Sequence, residues 1–239
     1  PGQMPWMQAV SDATDLPLAV ARASGTSATA IKLYADLSPA LAARITAEAH
    51  RQHLLVWAHA TLYPAKPSQV LAAGVDALSH ACLLVREPLD HVPGWGEPRA
   101  PMDLAQFMSG DSPALARLFQ AMVRRGVILD ATVWTYGGAS AAAAPAAAGA
   151  TPALTPGGCD DVVGGAITAQ AFRAGVQISA GTDNVAPATD AWPELFHEMD
   201  ALTNLAHMPP AAVLRSATII GARAAGQERD MGTLEPGKL

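Results

Sequence analysis

The stretch Leu54–Cys82, LLVWAHATLYPAKPSQVLAAGVDALSHAC, constrains the fold more than any other part of the chain. It divides into an apolar strand (LLVWAHA), a loop, a short helix (PSQVLAAG) and a second strand (VDALSHA), with a histidine near the C-terminal end of each strand. Two apolar strands joined through a helix make a βαβ unit, whose strands run parallel and end on one side. His59 and His80 are therefore expected on one face, where the loops of parallel α/β folds surround a common crevice. One such histidine alone is better explained as a core imidazole bonded to a carbonyl. Two in equivalent places on consecutive strands point to a shared ligand.

The same alternation runs through the chain. Strands are expected at 29–35, 54–60, 76–81, 127–134 and 176–182. Between them helical spacing, caps and Pro/Gly punctuation mark helices at 14–23, 39–53, 113–125 and 162–175, followed by 192–206 and 209–226. The segment 83–112, rich in Pro, Gly and charge, is too long for an ordinary connection and is expected to lie over the active face. Residues 137–158 form a low-complexity Pro/Ala/Gly loop. Regular strand–helix alternation implies an α/β protein with a parallel sheet and helices packed outside. Five strands suit either most of an eight-stranded barrel, with the first strands upstream of Pro1, or an open doubly wound sheet. No GxGxxG or GxxxxGK[ST] phrase occurs, which argues against nucleotide binding.

Composition narrows the partners. A formal charge of −6 gives no basic surface for nucleic acid, and charges, Pro and Gly interrupt every apolar run before the ~20 residues of a membrane span. A small-molecule substrate is expected; a homo-oligomer is left open. Cys82 and Cys159 make neither a disulfide framework nor a zinc-type CxxC pair, and Cys82 is expected to be a small buried residue. The opening PGQMPWMQAV shows no targeting segment, and the last phrase, GTLEPGKL, leads onward. Both ends look internal to a longer polypeptide, with cytoplasmic and periplasmic locations equally open.

Two further residues join the histidines. Lys32 interrupts the apolar strand IKLYA, where an unpaired buried ammonium is costly. Asp183 ends VQISAGTD in a turn that delivers its carboxylate to the same face. Taken singly, these are a snorkelling lysine and a turn cap. Lys, His, His and Asp at the ends of successive parallel strands make a better set of metal ligands than of caps.

The phrases IKLYADLS, WAHAT, AGVDALSHAC and AGVQISAGTDN, with FHEMDALTNLAHMPPAAVLRSATIIGARAAG and DMGTLEPGKL, resemble the metal-dependent amidohydrolase superfamily, in particular its imidazolonepropionase-like and dipeptidase-like branch. The resemblance runs from about Ala30 onward. It implies a (β/α)8 TIM-type barrel, present as a partial barrel without its N-terminal strands over residues 1–226, with 227–239 returning towards a small β-sandwich. It further implies one or two divalent ions, zinc foremost. By this likeness Lys32 is N-carboxylated and bridges two metals, His59 and His80 bind one, and Asp183 binds the other. Such ions acidify a bound water and polarise a carbonyl, while Asp183 moves the proton to the leaving nitrogen. Amide C–N hydrolysis of a dipeptide or acyl-amino acid is the expected reaction, with a cyclic amide as runner-up.

One departure is plain. The family's first-strand His-x-His pair is absent among His50, His53, His59, His80, His91, His197 and His207, and the resemblance places it upstream of Pro1. Taken alone, the chain is then expected to bind metal weakly and turn over little, and a non-catalytic barrel remnant acting as a binding module is the competing reading. Tyr63, Trp134 and Tyr136 are the candidate substrate-binding residues, Tyr63 as a hydrogen-bond donor to the oxyanion. His50, His53 and His197 are expected to be structural.

Overall fold

A computed structural model describes residues 7–25, 27–108, 110–137, 159–185 and 188–239. The five strands stand where the sequence puts them but are shorter: β1 (Ala30–Leu33), β2 (Leu55–His59), β3 (Ala77–Ser79), β4 (Ile128–Asp130) and β5 (Ile178–Ser179). All pair in parallel, in the order β1-β2-β3-β4-β5. A doubly wound sheet reverses its strand order at a switch point. This sheet winds in one direction, as a barrel wall does, so the doubly wound alternative falls.

The strands end early because the backbone turns. His80 (φ 74°) and Thr132 (φ 49°) enter the left-handed region directly beyond β3 and β4, although the ladder continues through Ala60 N to Ser79 O and His80 N to Asp130 O. Each of the five strands is followed within a few residues by a non-glycine residue at positive φ: Asp36, Tyr63, His80, Thr132 and Asp183. Such conformations cost of order 1–3 kcal/mol and concentrate at functional sites.

Local chemistry explains the helices. α1 (Leu16–Ser24) is capped by Asp15, whose carboxylate accepts from Leu18 N at 3.0 Å, and α2 (Pro39–Arg51) by Ser38, with proline at the first helical position. α3 (Pro67–Ala72) crosses from β2 to β3. A 3-10 segment (Ala81–Arg86), α4 (Ala105–Met108) and irregular chain fill the long connection before α5 (Pro113–Arg125). Gly126 ends α5 at φ 68°, the C-terminal position glycine favours. A 3-10 turn (Trp134–Tyr136) follows β4, and the low-complexity stretch lies, from 138 to 158, outside the described residues.

α6 (Asp161–Arg173) starts on the Asp160 cap, and α7 (Glu194–Asn204) follows β5. The final helix is interrupted: α8 (Pro210–Arg215) passes through a π-helical segment (Ser216–Ile220) into α9 (Gly221–Ala224). There Ser216 O accepts from Ala180 N, which ties this helix to the chain leaving β5. Residues 227–239 form turns.

The core lies between sheet and helices and is built from Leu, Val, Ile and Ala, with Val56, Leu78 and Leu129 fully enclosed on the central strands. No helix among the described residues is long and apolar enough to cross a membrane. Cys82 and Cys159 form a disulfide, Cα–Cα 5.5 Å, against the expectation of an isolated buried thiol. The partners are 77 residues apart, so no local spacing announces the pair; the fold brings the segment after β3 against the start of α6.

Candidate active site

Parallel register builds the site as a row. His59, Ser79, Asp130 and Ser179 are successive partners across β2, β3, β4 and β5, so their side chains share one layer on one face. Asp130 is buried and accepts from Ser79 Oγ at 3.1 Å and Ser179 Oγ at 2.9 Å. Burial raises its pKa, against the lowering influence of Lys32 and the two serine hydroxyls. Gly181 permits this arrangement, because a Cβ there would overlap the Asp130 carboxylate.

Lys32 reaches the row from β1, donating from Nζ to Ser79 Oγ at 2.6 Å. It is not the buried lysine its apolar strand suggested: β1 is an edge strand, and the side chain stays exposed. Only its amino end lies among protein atoms, and the resulting desolvation lowers its pKa, while Asp130 and Asp183 raise it.

His59 and His80 lie side by side, ring centroids 4.5 Å apart. Burial, followed by the Lys32 charge, lowers the His59 pKa to about 3. Burial also holds His80 well below its ordinary value, with His59 and Lys32 acting in the same direction. Both are thus neutral at pH 7, the form in which imidazole binds metal. His80 Nδ1 is paired with Thr132 Oγ1 at 2.8 Å, and Nε2 faces the exposed Asp183 carboxylate at 3.7 Å. Asp183 sits at φ 44°, and its carbonyl accepts from Thr135 Oγ1 at 3.0 Å.

Lys32, His59, His80 and Asp183 therefore occupy one neighbourhood. Their donor chemistry, two neutral imidazoles with a carboxylate, suits a divalent ion. Among the described residues, however, no three His, Cys, Asp or Glu side chains converge as a group that could hold a metal.

The aromatic candidates separate. Tyr136 is 6.3 Å from the His80 ring, its pKa raised by burial first and then by Asp183, Tyr63 and Tyr34. Tyr63 is buried rather than lining an open pocket, and its hydroxyl accepts from Arg86 Nε at 2.8 Å. Trp134 turns towards α7, stacking on His197 at 4.9 Å. Tyr34 packs on His59 at 4.4 Å. All three tyrosines of the chain thus gather at this face.

Glu198, missed by sequence reasoning, is fully buried and accepts from Val133 N at 3.0 Å and Trp134 N at 2.8 Å. It fastens the loop after β4 to α7, and burial raises its pKa to about 8. Its neighbour His197 also bonds Asp190 at 2.8 Å, a structural role as expected. His50 pairs with Asp76 at 2.8 Å at the N-terminal end of the strands, and His53 occupies a left-handed position after α2. A cleft of about 290 Å³ lined by Asp76, Arg125 and Arg223 also lies at that opposite end and contains none of the site residues.

Residues 164–239 match the Amidohydrolase family. In fold, the chain is similar to a crystal structure of an amidohydrolase (19% identity, 94% of this chain and 49% of that one, TM-score 0.62). It is also similar to a Xaa-Pro dipeptidase with bound methionine in the active site (16% identity, 94% and 50%, TM-score 0.63). A third structure, of an uncharacterized protein, matches at 17% identity over 97% of this chain and 52% of that one, TM-score 0.62. The chain thus spans about half the length of these proteins. No curated protein matches its sequence. The family match is confined to the C-terminal part of the chain, and what the chain shares with these structures over nearly its whole length is the fold.

Proposed function

We propose that the chain carries the later strands of a (β/α)8 barrel and contributes to the metal-dependent hydrolysis of an amide C–N bond in a dipeptide or acyl-amino acid. The observation that carries this reading is the meeting of Lys32, His59, His80 and Asp183 beyond the C-terminal ends of parallel strands, in a fold shared with a Xaa-Pro dipeptidase. In the same reading residues 227–239 lead towards a small β-sandwich. The sequence contains no His-x-His pair, so these four side chains are the donors it offers.

His59, His80, Asp183 and a carbamate on Lys32 would hold the ion, zinc or a similar divalent metal, which when bound supplies an acidified water and a polarised carbonyl. The lowered pKa of Lys32 favours the free amine, the form that adds to CO2 and releases one proton. Asp183 would move the protons, a reading supported by its exposed carboxylate beside a neutral imidazole and by its positive φ. The His80–Thr132 bond fixes the imidazole so that Nε2 points towards Asp183. Tyr136, beside His80, would wall the substrate space.

The test is elemental analysis of protein purified without chelator, joined to an amide-substrate screen. One or two equivalents of metal are expected, lost on Lys32→Ala and regained with formate as a surrogate carboxylate. Asp183→Asn should keep the fold and lower kcat by about 10²–10⁴. Near-normal turnover in that variant would remove Asp183 from proton transfer.

A further inference from the structure

The reading above concerns the reacting bond; the structure also suggests how the remainder of a substrate is recognised. Arg99 lies in the segment between β3 and α5, its guanidinium over the Tyr63 ring at 4.3 Å and over Trp95 at 5.6 Å. Trp95 meets the edges of Tyr63 and Tyr34, both at 5.6 Å, and Tyr34 packs on His59. A continuous aromatic shelf thus joins Arg99 to the first histidine of the site. Tyr63 makes the shelf rigid, being buried with its hydroxyl held by Arg86.

Arg99 is part-exposed, and its hydrogen-bonding capacity is little used. Its Nη2 reaches Trp95 O at 3.5 Å, and among the described residues no acidic side chain forms an ion pair with it. A guanidinium seated over an aromatic ring can keep its in-plane N–H fork for a second partner, in the geometry that matches a carboxylate. In a chain of net charge −6, an arginine seated over aromatic rings and in none of the ion pairs among the described residues is a prepared anion site.

We propose that Arg99, on its shelf of Tyr63 and Trp95, binds a free carboxylate of the ligand and so selects acyl-amino acids and dipeptides over neutral amides. This rests on the hydrolase reading for its substrate class. As a binding claim it can be tested apart from turnover.

The experiment is calorimetric titration of the protein with N-acetyl derivatives of L-alanine, L-leucine and L-proline, each as the free acid and as the primary amide. The best-bound acid should bind at least ten-fold more tightly than its amide. Arg99→Met, which keeps an apolar stem over Tyr63, should abolish the difference, and Arg99→Lys should restore part of it as a point charge. Equal affinity for acid and amide, no binding of either, or a preference that survives Arg99→Met in a protein of unchanged circular dichroism would overturn the subsite. Turnover is measured separately. An intact carboxylate preference without hydrolysis by metal-loaded protein would sink the hydrolase reading and leave the subsite, whereas hydrolysis of acid and amide with equal KM would do the reverse.

Discussion

Asp130 is the buried charge of the site, enclosed on β4 with two serine hydroxyls donating to its carboxylate. Asp130 interrupts the apolar phrase VILDATV as Lys32 interrupts IKLYA, but it is the Asp that is buried, while Lys32 stays exposed on an edge strand. Its serine partners carry no such signal, since Ser79 and Ser179 become meaningful only through the register that aligns them with it. Sequence did indicate His59, His80 and Asp183, because three polar groups at equivalent strand ends must emerge together. A test of the buried carboxylate uses Gly181, whose replacement by Ala places a methyl against Asp130 and must push it from its two hydroxyl donors. A loss of about 1–3 kcal/mol is expected in urea unfolding, by overpacking. Unaltered stability would mean that Asp130 can turn aside freely.

Helices and strands were readable from caps, prolines and apolar spacing, down to Ser38-Pro39 and Gly126. What could not be read was how one element grips another. Glu198 looks like an ordinary acidic residue in LFHEMDAL, yet it is enclosed and receives two backbone N–H groups from the loop after β4. Both donors are spent on this carboxylate, and the acid is worth more to that loop than to its own helix. Glu198→Gln keeps the shape but turns one acceptor into an NH2 facing an N–H. Chemical denaturation should show a loss of about 1–3 kcal/mol, the cost of one unsatisfied buried donor. A neutral result would mean that the loop finds the second bond elsewhere.

Across the whole molecule these local charges set a pH optimum. His59 has a folded pKa of about 3 against an ordinary 6.5, so the unfolded chain binds more protons between those values and stability falls as pH drops through that window. His80 acts in the same direction. Glu198 is opposite: its folded pKa of about 8 against an ordinary 4.5 means that the folded chain holds the extra proton, and stability falls as pH rises from 4.5 to 8. Between pH 4.5 and 6.5 the His59 and Glu198 slopes, about 1.4 kcal/mol per unit each at most, offset one another, so the metal-free protein is expected to lose stability below and above that range, with His80 and Asp130 acting in opposite directions. Melting curves across pH 4–9 should show this dome, and Glu198→Gln should flatten its alkaline side; a wild-type profile rising steadily to pH 8 would contradict the assignment.

The disulfide has a different kind of consequence. By joining Cys82 to Cys159 it makes a covalent ring out of the intervening chain, which includes α4, α5 and β4. A single break anywhere in the backbone of that ring leaves one molecule, not two. The strand that carries Asp130 thus stays covalently joined to the segments that carry His80 and Asp183, even in a nicked protein, for as long as the sulfurs remain oxidised.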